Sequence, residues 1–376
     1  MGILEKIEEI EKEMSRTKVG SSKDPGDPDA ELISTATEYH LGTLKAKLAK
    51  YRAQLLEPEK KGAKGEGFEV LKSGDARVCL IGFPSVGKST LLSKTTKTES
   101  VVGAYEFTTL TAIPGVLEYE GARIQLLDLP GIVQDAAKGR GRGRQVVSVA
   151  KTADLIILMI DATKSAEQKK LLEIELEAVG IRLNARKPDV VFKQKAAGGV
   201  SYINCTVKLT QTDERTVRTI LQTYRIHNCD VMIREDITTD EFIDVLLGTR
   251  KYIPALTCIN KIDGVSMETL DSMARQGDGK TVMISCEMDL GIDWLLESIW
   301  RELGLVKVYT KRRGEGPDLS DPICLRQGAT IETVCHGIHR SLASHFKYAL
   351  VWGKSSKFNP QPQKVGLTHS VQDEDV

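Results

Sequence analysis

The chain has 376 residues, room for two or three ordinary domains, and its 52 Lys and Arg balance 52 Asp and Glu. That balance excludes whole-chain electrostatic attraction to nucleic acid, although it leaves local basic patches open. The seven cysteines are scattered and never spaced C-x-x-C, and no apolar run is long enough to span a bilayer, so the composition argues for free thiols in a reducing, cytoplasmic compartment without membrane insertion.

Residues 1–60 predict a helical hairpin. Ile3, Ile7, Ile10 and Met14 recur at helical spacing over 1–17, and Leu41, Leu44, Leu48, Tyr51 and Leu55 do so over 38–56. Met1-Gly2-Ile3 hints at myristoylation, but Lys6 stands where that pattern wants Ser or Thr. The second helix is rich in Lys and Arg. A small packing module is the expected role, with an RNA-touching basic face as the alternative. Gly20 to Ser34, with two Asp-Pro steps, predicts a disordered insert over 18–37 between the helices. Glu57 to Gly67 reads as a polar linker.

From about Lys72 short apolar strands alternate with amphipathic helices, the pattern of an α/β domain with a mainly parallel sheet over 71–304. Strands are expected at 77–82, 123–128, 155–160 and 254–259. The first leads into Gly82-Phe83-Pro84-Ser85-Val86-Gly87-Lys88-Ser89-Thr90, which fits G-x-x-x-x-G-K-S. Gly82 and Gly87 permit a tight turn whose N–H groups face phosphate oxygens, and the helix that follows adds partial positive charge. Lys88 is assigned to the β- and γ-phosphates, and Ser89 to Mg2+. In the loop-like stretch Tyr105 to Leu110, Thr109, with Thr108 next, is the candidate to bind Mg2+ and sense the γ-phosphate.

Asp128-Leu129-Pro130-Gly131 follows the second strand. Asp128 at a strand end suits Mg2+, and the Gly131 N–H suits the γ-phosphate. Lys138-Gly139-Arg140-Gly141-Arg142-Gly143-Arg144 comes next, a mobile solvated loop or a flexible arm for a polyanion such as rRNA. Between Asp161 and Asn260 the spacing exceeds one helical crossover, which predicts a small α+β insertion at about 180–248. Asn260-Lys261-Ile262-Asp263 closes a strand. The Asp263 carboxylate can accept from both N1–H and the 2-amino group of guanine, which adenine cannot offer. Asn260 is expected to brace the loop and the Lys261 stem to lie over the base. Ser285-Cys286 is expected to offer backbone N–H groups to guanine O6. The ordered series implies a site for GTP and GDP with Mg2+.

From about Leu305 the pattern is strand, strand, helix, strand, which predicts a compact ubiquitin-like module over 305–376. His336 and His339 share a helix face there, a spacing more often structural than metal-binding.

Taken together, Gly82 to Thr90, Tyr105 to Leu110, Asp128 to Ile132, Lys138 to Arg144, Asn260 to Asp263 and the C-terminal module resemble the developmentally regulated GTP-binding protein family of the Obg-like branch. Met1 to Ile7, Tyr39 to Gly42 and His339 to Ser344 are similar to the second of its two eukaryotic branches. The resemblance implies a P-loop GTPase domain with an inserted subdomain, an N-terminal helical hairpin and a C-terminal TGS domain of β-grasp type. It also implies ribosome association and a stabilising partner with an RWD domain, with no DNA among the partners.

Two departures stand out: the insert in the hairpin, and an end at Asp373-Glu374-Asp375-Val376 where the family continues into a last β-strand, so a missing edge strand is expected. Ile132 replaces the water-orienting Gln of Ras-like proteins, which implies slow unaided hydrolysis. Potassium is a candidate to supply the missing positive charge, although Ser85 stands where related potassium-using GTPases carry Asn. A ribosomal GTPase switch is the leading expectation, and a nucleotide-dependent cytoskeletal or membrane-traffic scaffold is the alternative.

Overall fold

The structure, a computed structural model, describes residues 3–20, 30–56, 74–96, 114–129, 143–164, 167–202, 207–248, 250–312, 314–358 and 360–376. The chain forms two compact units. One comprises Phe68–Val133, Gln145–Glu173 and Ile253–Val376; the other comprises Met1–Gly67, Gln134–Arg144 and Ile174–Tyr252.

In chain order the first strands are β1 (Ala76–Gly82), β2 (Pro114–Tyr119), β3 (Ala122–Asp128) and β4 (Leu155–Asp161). The insertion brings β5 (Ile181–Leu183), β6 (Val190–Gln194), β7 (Val200–Tyr202) and β8 (Cys229–Ile233). Next come β9 (Lys251–Ile253), β10 (Ala255–Asn260) and β11 (Thr281–Met283). The central sheet has the order β11-β10-β4-β1-β3-β2. Its pairs are parallel except β2 with β3. Every residue of β1 and β4 is buried, so these strands read as continuous apolar runs instead of alternating ones.

Arg77 is the exception inside β1, at 2% exposure. Its Nε donates to Gln125 Oε1 at 3.0 Å and its Nη1 to Thr152 Oγ1 at 2.6 Å. Those partners are what make a buried guanidinium tolerable.

The register of the parallel strands decides where function sits. Gly82 lies beside Met159, Asp128 beside Leu80, and Asn260 beside Asp161. The carboxyl ends of β1, β3, β4 and β10 therefore deliver their loops to one edge, where open α/β sheets bind ligands.

The C-terminal module joins β12 (Leu305–Lys311) and β13 (Pro317–Arg326) as an antiparallel pair, and β14 (Ala349–Val351) with β15 (Gln363–Val365) as another. Both close over the helix Ile331–Ile338 through Val308, Ile331, Val334, Val351 and Val365. Among the described residues no strand follows β15, yet the terminal residues are held by backbone hydrogen bonds. Glu374 N donates to Lys307 O and Tyr309 N to Asp375 O, both at 2.8 Å. On the other side Trp352 and Val376 exchange backbone bonds of 2.9 and 2.8 Å. The terminal residues thus lie between β12 and β14. Their sequence is acidic, but the Asp375 carboxylate is fully buried and accepts from Gln372 N at 2.7 Å and Ser355 N at 3.1 Å. The module meets the central sheet through Lys307 on Glu120, at 2.8 Å, and Arg326 on Asp154.

In the second unit the helices Ile3–Gly20 and Ala30–Leu56 are longer than the sequence pattern suggests. The insert expected over 18–37 is helical at both flanks. Only 21–29, with Pro25 and Pro28, lies outside the described residues. The hairpin is also not a separate module. Ala46 and Ala49 share a core with Val217, Ile220, Leu221, Phe242 and Ile243 of the insertion, beside the sheet β6-β8-β7. Small side chains allow this close approach: a Cβ at Gly42 would sit 3.1 Å from Thr216 Cγ2. The basic helix spends cations inside the unit, with Lys45 on Asp240 at 2.6 Å, Lys50 on the Thr223 carbonyl at 3.0 Å and Arg52 on Glu11 at 2.8 Å.

Removing residues 373–376 is expected to strip hydrogen-exchange protection from β12 and β14 while the central sheet keeps its own. Unchanged protection in the C-terminal module would contradict the placement of the terminal residues.

Candidate functional site: a phosphate cradle tied to a base loop

The loop after β1 is shaped by two residues in the left-handed region, Ser85 at φ 64° and Gly87 at φ 98°. Gly82 has no room for a side chain, since a Cβ would lie 2.5 Å from the Met159 carbonyl oxygen. A Cβ on Gly87 would overlap Asn260 Nδ2. Pro84 and Ser85 are exposed at the rim, and Val86 is buried beneath it. The helix Lys88–Thr95 begins at Gly87 without a side-chain cap. Its first-turn N–H groups, with Ser89 and Thr90 in that turn, are thus free of a side-chain acceptor at the N-cap.

Lys88 Nζ arches over the loop and donates to the carbonyls of Gly82 and Phe83, each at 3.0 Å. Burial pushes its pKa down, and the nearby Asp128 charge pulls in the opposite direction. A phosphate is a stronger acceptor for this ammonium than two carbonyls.

Ser89 Oγ donates to Asp128 Oδ2 at 2.9 Å. The other oxygen, Asp128 Oδ1, is buried and has no hydrogen-bond partner among the described residues. A buried carboxylate oxygen without a donor is costly. A hydroxyl and such an oxygen are the hard ligands that suit Mg2+. The pair therefore fits that cation.

On the far side, Asn260 is 2% exposed and uses both ends of its amide. Nδ2 donates to the Val86 carbonyl at 2.8 Å, and Oδ1 accepts from Cys286 N at 3.0 Å. One side chain thus binds the phosphate loop to the segment after β11. Asp263 accepts from Ser285 Oγ at 2.5 Å, and Met288 N donates to that same Oγ at 3.1 Å. Ser285 is fully buried, so it fixes the Asp263 carboxylate from below.

One expectation is corrected. The N–H groups of Ser285 and Cys286 were assigned to guanine O6, but Ser285 N donates to Leu290 O at 3.0 Å and Cys286 N donates to Asn260. Both are used in building the loop, because its short antiparallel bridge to Leu290 consumes one and the Asn260 tie the other. These residues orient the site from within.

Lys261, at φ 65°, donates from Nζ to Asp161 Oδ2 at 2.8 Å. Asp161 Oδ1 accepts from Thr163 N at 3.0 Å and Thr163 Oγ1 at 2.7 Å. Burial alone would raise the Asp161 pKa, but these bonds outweigh it and hold the carboxyl below its ordinary 3.8. A depressed folded-state value means that the pair stabilises the fold above the ordinary value, and that this contribution is lost as pH falls through the folded one. The motif reading passed over Asp161. Its available signal was an Asp closing an apolar strand, as Asp128 does.

Thr108, Thr109, Gly131, Ile132 and the run from Lys138 to Arg142 lie outside the described residues. Of the sequence-predicted site, the structure brings Lys88, Ser89 and Asp128 to one end, and Lys261, Asp263 and Ser285 to the other, with Asn260 between.

Residues 77–194 match the family described as "50S ribosome-binding GTPase", residues 197–305 the "C-terminal region of MMR_HSR1 domain", and residues 306–376 the "TGS domain". The chain is 60% identical over 377 residues to "Developmentally-regulated GTP-binding protein 2" of Homo sapiens, covering 100% of this chain and 98% of that one. It is 58% identical over 377 residues to "GTP-binding protein 1" of Schizosaccharomyces pombe, with the same coverage. Among solved structures, the Schizosaccharomyces pombe YchF GTPase aligns with a TM-score of 0.42 at 12% identity, covering 81% of this chain and 98% of that one.

Asn260→Ala strands the buried Val86 carbonyl and the Cys286 N–H, each worth about 1–3 kcal/mol. Titration calorimetry should show GDP affinity reduced by roughly 100-fold, since about 1.4 kcal/mol is tenfold. Affinity within twofold of the unsubstituted protein would contradict the tie.

Proposed function

The chain belongs to the developmentally regulated GTP-binding protein family, and from that membership we propose that this GTPase works as a Mg2+-dependent switch on the ribosome. GTP binding and hydrolysis are the family's activity, carried here by the domain that spans Arg77 to Gln194 and resumes at β10. The observation that carries the site assignment is Asn260, which sets the Lys88 cradle and the Asp263 carboxylate at a fixed separation.

Within that reading, Lys88 leaves its two carbonyl acceptors for the β- and γ-phosphates. Ser89 and Asp128 would hold Mg2+, which would supply positive charge against the phosphates. Gly82, Pro84, Ser85, Val86, Gly87 and Thr90 form the loop wall, with the N–H groups of Ser85, Val86 and Gly87 toward the phosphates, since Pro84 has none to offer. Thr109 and Gly131 are the proposed γ-phosphate sensors. Asp263 reads guanine, held by Ser285.

Ile132 has no polar atom to orient water, so turnover is expected to be slow without help. Ras-like proteins alone manage on the order of 10⁻⁴ s⁻¹, and an activator adds about 10³–10⁵-fold. Potassium at the phosphate loop is a candidate accelerator, and equal rates in sodium and potassium would discard it.

The ribosomal role is supported by the name of the family matching residues 77–194 and by the alternating Arg and Gly of Lys138 to Arg144. A partner with an RWD domain is proposed from the resemblance, and a cytoplasmic location from the scattered cysteines. Among the described residues no helix is long and apolar enough to cross a membrane.

Nucleotide-dependent pelleting with ribosomes, with and without the RWD partner, tests the role. Cosedimentation should weaken with salt and with Ala at Arg140, Arg142 and Arg144. GTP-independent, salt-insensitive behaviour would contradict it. At the base end, Asp263→Asn should exchange guanine for xanthine preference, because the amide can donate to a 2-oxo group. Unchanged guanine preference in a competition assay would remove Asp263 from its role.

A further inference from the structure

We propose that Asp161 is a positioning residue of the guanine site: it pins the Lys261 ammonium, so that the Lys261 stem is held as a cover for one face of the base. The proposal rests on the guanine reading of Asn260 to Asp263.

Asp161 closes β4, and its neighbour in the ladder is Asn260, which closes β10. Ala162 N donates to Asn260 O at 2.9 Å, which fixes the separation of the two strand ends just beyond that pair. Asp161 is 1% exposed, and both its oxygens are engaged: Oδ1 by the two Thr163 donors, Oδ2 by Lys261 Nζ. The carboxylate is therefore oriented before it meets the lysine. Lys261 differs in kind. Its side chain is 42% exposed although its ammonium is anchored, and its backbone is left-handed, a conformation that an ordinary L-residue keeps only when its surroundings hold it. A lysine stem has four rotatable carbons and settles on one path only when its end is fixed. With the end fixed on Asp161, the open flank of the stem is a preformed apolar strip next to the carboxylate that reads the base.

The substitution Asp161→Asn is nearly isosteric but not neutral. Its single oxygen must serve the Thr163 N–H, which leaves an amide NH2 turned toward the lysine ammonium. The stem is then released without emptying the site. Lys261→Met keeps an apolar stem and removes the ammonium.

The test is a double-mutant cycle by titration calorimetry on the full chain, using Mg·GDP and Mg·tripolyphosphate as probes, with thermal melting of each variant. D161N should weaken GDP about tenfold, within the range of coupling energies between contacting residues. Tripolyphosphate touches only the phosphate cradle, so its affinity should stay within twofold. In a K261M background, D161N should add less than a twofold further loss. Unchanged GDP affinity in D161N would overturn the proposal. So would an equal loss of tripolyphosphate, which marks general damage, or fully additive losses in the double variant. Absence of GDP binding in the unsubstituted protein would instead overturn the guanine reading itself.

Discussion

A single buried amide governs this molecule. Asn260 accepts from the backbone of one loop and donates to the backbone of another, 26 and 174 residues away in sequence respectively. Without that tie the phosphate cradle and the base loop would be two independent turns on one sheet edge. With it they have a set separation, so only a ligand of matching length engages both. Burial makes the restraint strong, because an unpaired amide or carbonyl in this setting is costly. Gly87 is part of the same arrangement: any side chain there would collide with the Asn260 amide.

The sheet makes such an arrangement attainable. Parallel strands end together, so four loops from distant parts of the sequence meet without long excursions. Each strand end supplies one group: the Gly82 turn from β1, Asp128 from β3, Asp161 from β4 and Asn260 from β10. Three of the four are side chains that apolar packing alone would reject. They persist because each has partners or, for one oxygen of Asp128, a place suited to a cation.

Much of this was legible in the residues. Four of the six strands of the central sheet, β1, β3, β4 and β10, fall within about a residue of their expected limits, and β1 and β4 do so as continuous apolar runs flanked by turn formers. The cradle and Asn260 were also legible, since glycine spacing and an amide at a strand end carry direct steric and hydrogen-bonding meaning. Other features were hidden for physical reasons. Ser285 and Cys286 looked like donors to a ligand because sequence cannot show that their N–H groups are already taken by Leu290 and Asn260. The pairing of the terminal residues was hidden because a buried aspartate, Asp375, reads as a solvated tail until its backbone donors are seen. The helical hairpin looked separate because Ala46 and Ala49 give little apolar signal, yet small size is what lets them pack closely on the insertion.

The central claim is that one purine nucleotide spans the cradle and the base loop. Calorimetry with magnesium, titrating GDP, GTP, ADP and ATP in turn, tests it most directly. The account predicts one site per chain with heat from both guanine nucleotides and none from either adenine nucleotide at the same concentrations. Equal affinity for adenine and guanine nucleotides, or no heat from any of them, would contradict it.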